Sequence, residues 1–278
     1  MCLGNDAAAQ IAETIGGSYE GFAEIMNNKA KELGLSNTNF VTPHGLDNEM
    51  HYTTAYELAM LTNIALSNEK FAELVKTKQK TILINGQARN LNNSNELLGN
   101  LSGVYGVKTG FTNNAGRCLV TACKRGDLDV IVVVIGADTK NFRTKDSIKI
   151  IEYAYSNFEI INLTEMIQNE FEKWCNEIKG SFIIEKGKTQ FLELKLEKND
   201  YTQYPIRKGS KDDIKFEMDC RRYFSAPVDK DRSVGSMQIT IDKEVTIELN
   251  IYTKEAVGKK ESADYFWELL CSYHHIFK

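Results

Sequence analysis

Lys108-Thr109-Gly110, closing the strand-like run that begins at Val104, is the stretch best suited to chemistry. A Lys ammonium and a Thr hydroxyl on one strand edge can hold a carboxylate through charge-assisted hydrogen bonds, and the glycine lets a ligand backbone come close. The amide N–H of Phe111 then faces a reacting carbonyl as an oxyanion donor, with Thr112 following it. Alone, such a tripeptide is weak, since ordinary edge strands also carry it. His44 and His51 share one polar loop and read as loop residues, not as metal ligands.

The elements that must position this strand are legible in outline. Asn5 or Asp6 is expected to cap a helix through Ile11 and Ile15 that Gly16-Gly17 stops. Ser18 caps a second helix carrying Phe22, Ile25, Met26 and Leu33, with Gly34 suited to a left-handed C-terminal position. Thr54-Ala55-Tyr56-Glu57 reads as a capping box opening a helix through Leu58, Leu61 and Leu66. Thr81–Ile84 and the segment after Gly86 read as short strands, and Asn90–Asn100 as a surface loop of the kind that frames a site. Arg117–Lys124 and Leu128–Ile135 pair across Arg125-Gly126-Asp127, giving three antiparallel strands with the Lys-Thr-Gly strand. Ile148, Ile151, Ala154, Tyr155 and Phe158 form a helical stripe that covers one sheet face, and Arg143 and Asp138 near its start read as a solvated helix terminus.

Beyond Asn162 the texture alternates, as in Phe191–Leu196, Met237–Ile241 and Val245–Tyr252, and predicts a small all-β domain. The last stretch, from Ala263 to Phe277, spaces Phe266, Leu269, Leu270, Tyr273, Ile276 and Phe277 as on a helix, with Trp267 alongside, which suits a membrane surface. The domains are therefore expected at residues 1–160, 161–260 and 261–278.

The chain has 278 residues, 42% of them apolar and 26% charged, which is enough to build full hydrophobic cores. A net charge of −4, without a dense basic block, argues against nucleic acid as a partner. Six scattered cysteines lack metal spacing and read as mostly free thiols. No basic-then-apolar export signal opens the sequence, so the chain as written would stay in the cytoplasm.

Several motifs, in order, resemble one family. Leu3-Gly4-Asn5-Asp6-Ala7-Ala8, Thr42-Pro43-His44-Gly45-Leu46-Asp47, His51-Tyr52-Thr53-Thr54-Ala55 and Gly106-Val107-Lys108-Thr109-Gly110-Phe111-Thr112 with Ala115-Gly116 are similar to the D-alanyl-D-alanine carboxypeptidases, the low-molecular-mass penicillin-binding proteins. Ala226-Pro227-Val228 and Val234-Gly235 extend the resemblance into the β-rich region. The resemblance implies an α+β fold: a β-lactamase/transpeptidase-like domain, an antiparallel sheet with helices and its N-terminal part missing, then a small all-β domain and an amphipathic C-terminal helix. Class A β-lactamases share the Lys-Thr-Gly strand but end soon after the last helix, so the β-rich extension favours the carboxypeptidases.

The implied reaction is serine-type removal of the terminal D-Ala from peptidoglycan stem pentapeptides through an acyl-enzyme, with no cofactor and no metal. Lys108, Thr109, Gly110, Phe111 and Thr112 then form the substrate side, and Asn5 is the remnant of a Ser-x-Asn motif whose hydroxyl position holds Leu3. The family nucleophile stands in an S-x-x-K motif expected upstream of residue 1. The one such string here, Ser67-Asn68-Glu69-Lys70, sits at a helix end between other family motifs and reads as coincidence. The chain is thus expected to be an N-terminally truncated member, inactive by itself, with a non-catalytic module binding cell-wall peptides or β-lactams as the alternative. Implied partners are stem peptides, β-lactams and, through the C-terminal helix, a membrane surface. The family is extracytoplasmic and membrane-associated, and the oligomeric state stays open.

Overall fold

The computed structural model describes residues 4–276 apart from 85 and 244, with side chains described to residue 270. The chain divides into two units, 1–157 and 158–278. Residues 2, 3 and 277 lie outside the described residues, and the side chains of Cys271, Tyr273 and Ile276 are outside them too.

Unit 1 begins with helices α1 (Asn5–Gly16) and α2 (Tyr19–Glu32). Gly4, not Asn5 or Asp6, is the cap of α1, and no side chain closes that end. Ser18 caps α2 by accepting from the Gly21 N–H, and Gly34 takes φ 74°, the left-handed geometry that glycine adopts without Cβ strain. Helix α3 (Ala55–Leu66) follows, with Thr54 accepting from the Glu57 N–H. Glu57 does not complete the expected box. Its carboxylate instead accepts from the Asn37 N–H at 2.8 Å and from the Thr38 hydroxyl, tying the preceding loop to the helix. Ser67 ends α3, and Asn68 caps a further helix, α4 (Glu69–Lys76).

The two short strands expected here are present as β1 (Gln79–Ile84) and β2 (Gln87–Asn92), and they pair with each other as a hairpin. Then β3 (Val104–Thr112), β4 (Gly116–Arg125) and β5 (Leu128–Ala137) form an antiparallel sheet in the order β3-β4-β5, and α5 (Lys140–Asn157) closes the unit. Helices cover both sheet faces because the central strand alternates: Leu119 and Cys123 pack with Ile151 of α5, whereas Val120 and Ala122 pack with Val107 and with Val75 of α4. Burying each such aliphatic side chain is worth about 1.5–3 kcal/mol, so the sheet position is fixed from both sides.

The Asn90–Asn100 segment is not a surface loop throughout. Asn90–Asn92 belong to β2, and Asn95, Leu97 and Leu98 are buried against the sheet. The asparagines that mimic a loop composition are spent on backbone: Asn93 donates to the Val75 and Thr77 carbonyls, and Asn95 donates to the Gly106 carbonyl at 2.9 Å.

Unit 2 opens with β6 (Phe158–Ile161), which includes the Phe158 expected on the preceding helix, and then α6 (Leu163–Glu177). The region is therefore β-rich but not all-β. Asn162 caps α6 through the Glu165 N–H, and Leu163, Ile167 and Phe171 at helical spacing enter the core. Next come β7 (Ile183–Glu185), β8 (Leu194–Leu196), β9 (Tyr204–Arg207), β10 (Lys215–Cys220), β11 (Tyr223–Ser225), β12 (Ser233–Ile241) and β13 (Val245–Thr253). The main sheet has the order β10-β12-β13-β8, beside the pairs β6-β9 and β7-β11. Pairing in the Phe191–Leu196 stretch begins only at Leu194, where Thr253 is opposite, so the expected six-residue strand is three residues long. Helix α7 (Ser262–Ile276) ends the described chain with Phe266 and Trp267 62% and 66% exposed. Among the described residues no helix is long and apolar enough to cross a membrane.

Candidate active site

The site is built on β3, whose only strand partner among the described residues is β4. Lys108, Thr109 and Gly110 face Val120, Leu119 and Cys118 in register, leaving the other side of the strand for a ligand backbone. Thr109 is 6% exposed, its hydroxyl 2.6 Å from that of Ser94. Lys108 is half-buried, its ammonium donating to the Thr109 carbonyl. Desolvation lowers its pKa, as expected for a cation held away from water. A ligand carboxylate entering here would meet a desolvated ammonium and the Thr109 hydroxyl.

Phe111 continues the strand, its ring under the Arg117 guanidinium at 3.6 Å, and Thr112 accepts from the Ala115 N–H at 3.0 Å, which tightens the following turn. That turn meets the Thr42–Asp47 loop, where Asp47 accepts from the Asn114 N–H at 3.4 Å. Between them lies a cavity of about 270 Å³ lined by Gly45, Asp47, His51, Thr112 and Asn114. His51 is a structural acceptor: its Nδ1 takes the N–H groups of Val41 and Thr42 at 3.1 and 3.3 Å. Burial first, and the neighbouring His44 second, lower its pKa and favour the neutral ring these bonds require.

Five of the sequence-derived residues, Lys108 through Thr112, thus lie together on one strand. Asn5 is exposed at the start of α1, and among the described residues no hydrogen bond joins it to them. Ser67 donates to the Ile64 carbonyl at 2.6 Å as part of the helix end, in keeping with a structural serine. Cys175 and Cys220 are pushed up to about 11, mainly by burial, and so are poor nucleophiles at neutral pH.

Arg143 was expected at a solvated helix terminus. It is 3% exposed, and its Nη2 lies 2.7 Å from both carboxylate oxygens of Glu96, which also accepts from the Thr144 hydroxyl. Ser94, Asn95 and Glu96 had no signal beyond loop composition, because their partners are β3 and α5, distant in sequence.

An edge strand carrying Lys-Thr-Gly, with helices on both faces of its sheet, defines the penicillin-binding protein and transpeptidase fold. The structure overlays penicillin-binding protein 5 from Haemophilus influenzae with a TM-score of 0.66 at 27% identity, covering 93% of this chain and 72% of that one. It overlays the Streptomyces K15 DD-transpeptidase with a TM-score of 0.51 at 34% identity, covering 54% and 62%.

Residues 1–139 match the D-alanyl-D-alanine carboxypeptidase family, residues 176–259 match the penicillin-binding protein 5 C-terminal domain, and the chain belongs to that carboxypeptidase family. The D-alanyl-D-alanine carboxypeptidase DacF of Bacillus subtilis is 35% identical over 93% of this chain, and DacC of Escherichia coli 38% identical over 57%. The chain spans 64% of the length of the first and 39% of the second.

Proposed function

We propose that this chain carries the substrate-recognition strand of a serine-type D-alanyl-D-alanine carboxypeptidase of peptidoglycan maturation. The observation that carries the reading is the edge of β3 that no described strand pairs, with Lys108 and Thr109 side by side on it to take a terminal carboxylate. The peptide backbone lies along Gly110, and the Phe111 N–H polarises the carbonyl of the scissile D-Ala-D-Ala bond. In the family reaction a serine activated by the Lys of S-x-x-K attacks that carbonyl, terminal D-Ala leaves, and water hydrolyses the acyl-enzyme. Among these 278 residues the one S-x-x-K serine, Ser67, donates to a helix carbonyl, so the reading gives these residues the role of recognition and assigns Ser67 no part in the chemistry.

Stem peptides and β-lactams are the ligands of this reading. Helix α7 rests on a lipid surface at the extracytoplasmic face, its exposed Phe266, Trp267 and Leu269 entering the interface. The test is incubation of the purified chain with a fluorescent penicillin and, separately, titration with an N-acetylated peptide ending in D-Ala-D-Ala. Saturable peptide binding that Lys108→Ala removes, without a covalent adduct, is expected. An adduct mapped to Ser67 would overturn the assignment of residues, and absence of binding would overturn the reading.

A further inference from the structure

We infer that Ser94 is a positioning residue for carboxylate recognition, acting through the Thr109 hydroxyl; the inference rests on the function proposed above. Ser94 is held by neighbours on both sides. The Asn93 amide donates to the Val75 and Thr77 carbonyls at 3.3 and 3.2 Å, and its oxygen accepts from the Asn95 N–H at 3.0 Å. Asn95 donates to the Gly106 carbonyl of β3 at 2.9 Å and accepts from the Leu97 N–H at 3.1 Å. Glu96 is gripped by the buried Arg143. These bonds fix the segment to α4, β3 and α5 and place the Ser94 hydroxyl 2.6 Å from that of Thr109.

The chemistry of two hydroxyls at that distance gives the placement its consequence. Each has one proton and two lone pairs, and only one proton can lie between them. If Thr109 donates to Ser94, the Thr109 proton is lost to a ligand. If Ser94 donates to Thr109, the Thr109 proton points outward. A carboxylate only accepts, so it selects the second arrangement, in which Ser94 donates to Thr109 and Thr109 donates to the ligand, each bond polarising the next. A carboxamide can donate its own N–H to Thr109 and gains nothing from that order. Ser94 therefore contributes discrimination between a free C-terminal acid and its blocked form, beyond the charge of Lys108.

The test compares dissociation constants of the folded chain for an N-acetylated peptide ending in D-Ala-D-Ala and for the same peptide ending in a carboxamide, by amide chemical-shift titration. Ser94→Ala is expected to reduce the acid-over-amide preference about fivefold, the scale of one net hydrogen bond between neutral groups, while amide affinity stays within about twofold. Ser94→Thr, which keeps a hydroxyl, is expected to retain the wild-type preference. An unchanged preference in Ser94→Ala, or equal weakening of both peptides, would overturn the role of Ser94 and leave the proposed function standing. Failure of the unaltered chain to bind either peptide would overturn both.

Discussion

The buried Arg143 forms an ion pair with the partly buried Glu96 that joins α5 to the segment leading into β3, with Nη2 2.7 Å from both carboxylate oxygens. The Arg143 side chain is 4% exposed and that of Glu96 25%. Removing one partner leaves a charge in a place built for two, which costs far more than the pair contributes. Glu96→Ala is expected to destabilise unit 1 by about 3 kcal/mol, the lower end of the range for breaking such pairs, read as a shift in the urea midpoint. Replacing both residues with leucine should cost much less, and a double variant as unstable as the single one contradicts this account.

The same carboxylate gives an acid limb. Burial pushes the Glu96 carboxyl up, but the Thr144 hydroxyl and the Arg143 guanidinium outweigh it and hold it below the usual carboxylate range. In the unfolded chain it titrates near its ordinary value of about 4.3, so there the unfolded state binds more protons than the folded one. The contribution is complete above that value and is lost as pH falls through the lower folded value. Stability measured from pH 6 down to pH 2 should fall less steeply for Glu96→Gln than for the unaltered chain; parallel curves would exclude Glu96 as the cause.

Carboxylate binding should also report Lys108. Desolvation lowers its pKa, so its charge is lost at a lower pH than for a lysine in water, where the value is about 10.4. Affinity for the D-Ala-D-Ala acid is expected to decline as pH rises through that lowered value, while affinity for the carboxamide changes little. Lys108→Arg would move the decline to higher pH, and an affinity flat across the alkaline range would remove Lys108 from the contact.

At Gly235 an added Cβ would lie 2.1 Å from the Asp219 carbonyl oxygen of β10, beside the irregular register between Ser233 and Gly235. The clash is with backbone on a neighbouring strand and cannot be relieved by a rotamer. Gly235→Ala should cost about 2 kcal/mol, within the range for overpacking, seen as a lower melting temperature for unit 2. Gly126→Ala offers contrast: its Cβ meets nothing within 4 Å, so only the strain of φ 59° applies.

Helix α7 should partition onto lipid vesicles. Asp264 and Glu268 make its polar face acidic, so attraction to anionic lipid is not the driving force and cosedimentation should persist in high salt. Replacing Phe266 and Trp267 with glutamate is expected to lower partitioning by more than about tenfold, from the loss of roughly 1.5–3 kcal/mol per large apolar side chain. Salt-sensitive binding that survives this change would place the contact elsewhere.

Local signals were legible where one segment contains its own explanation. Ser18 and Thr54 cap their helices as the sequence indicates, Gly34 is left-handed, and the β3-β4-β5 meander follows alternation and short turns. Helix α6 is missed by the all-β reading of that region, although Asn162-Leu163-Thr164-Glu165 followed by Ile167 and Phe171 carries its signal.

The Lys108–Thr112 strand and its family are legible in the amino-acid order alone, because motif order and spacing are properties of the chain. The support behind that strand comes from the fold. Ser94 meets Thr109 across 15 positions, and Glu96 meets Arg143 across 47. No periodicity links residues so far apart: an asparagine-rich stretch has the composition of a solvated loop until α4, β3 and α5 surround it, and a helix-end arginine becomes a buried cation only when the fold brings it a carboxylate.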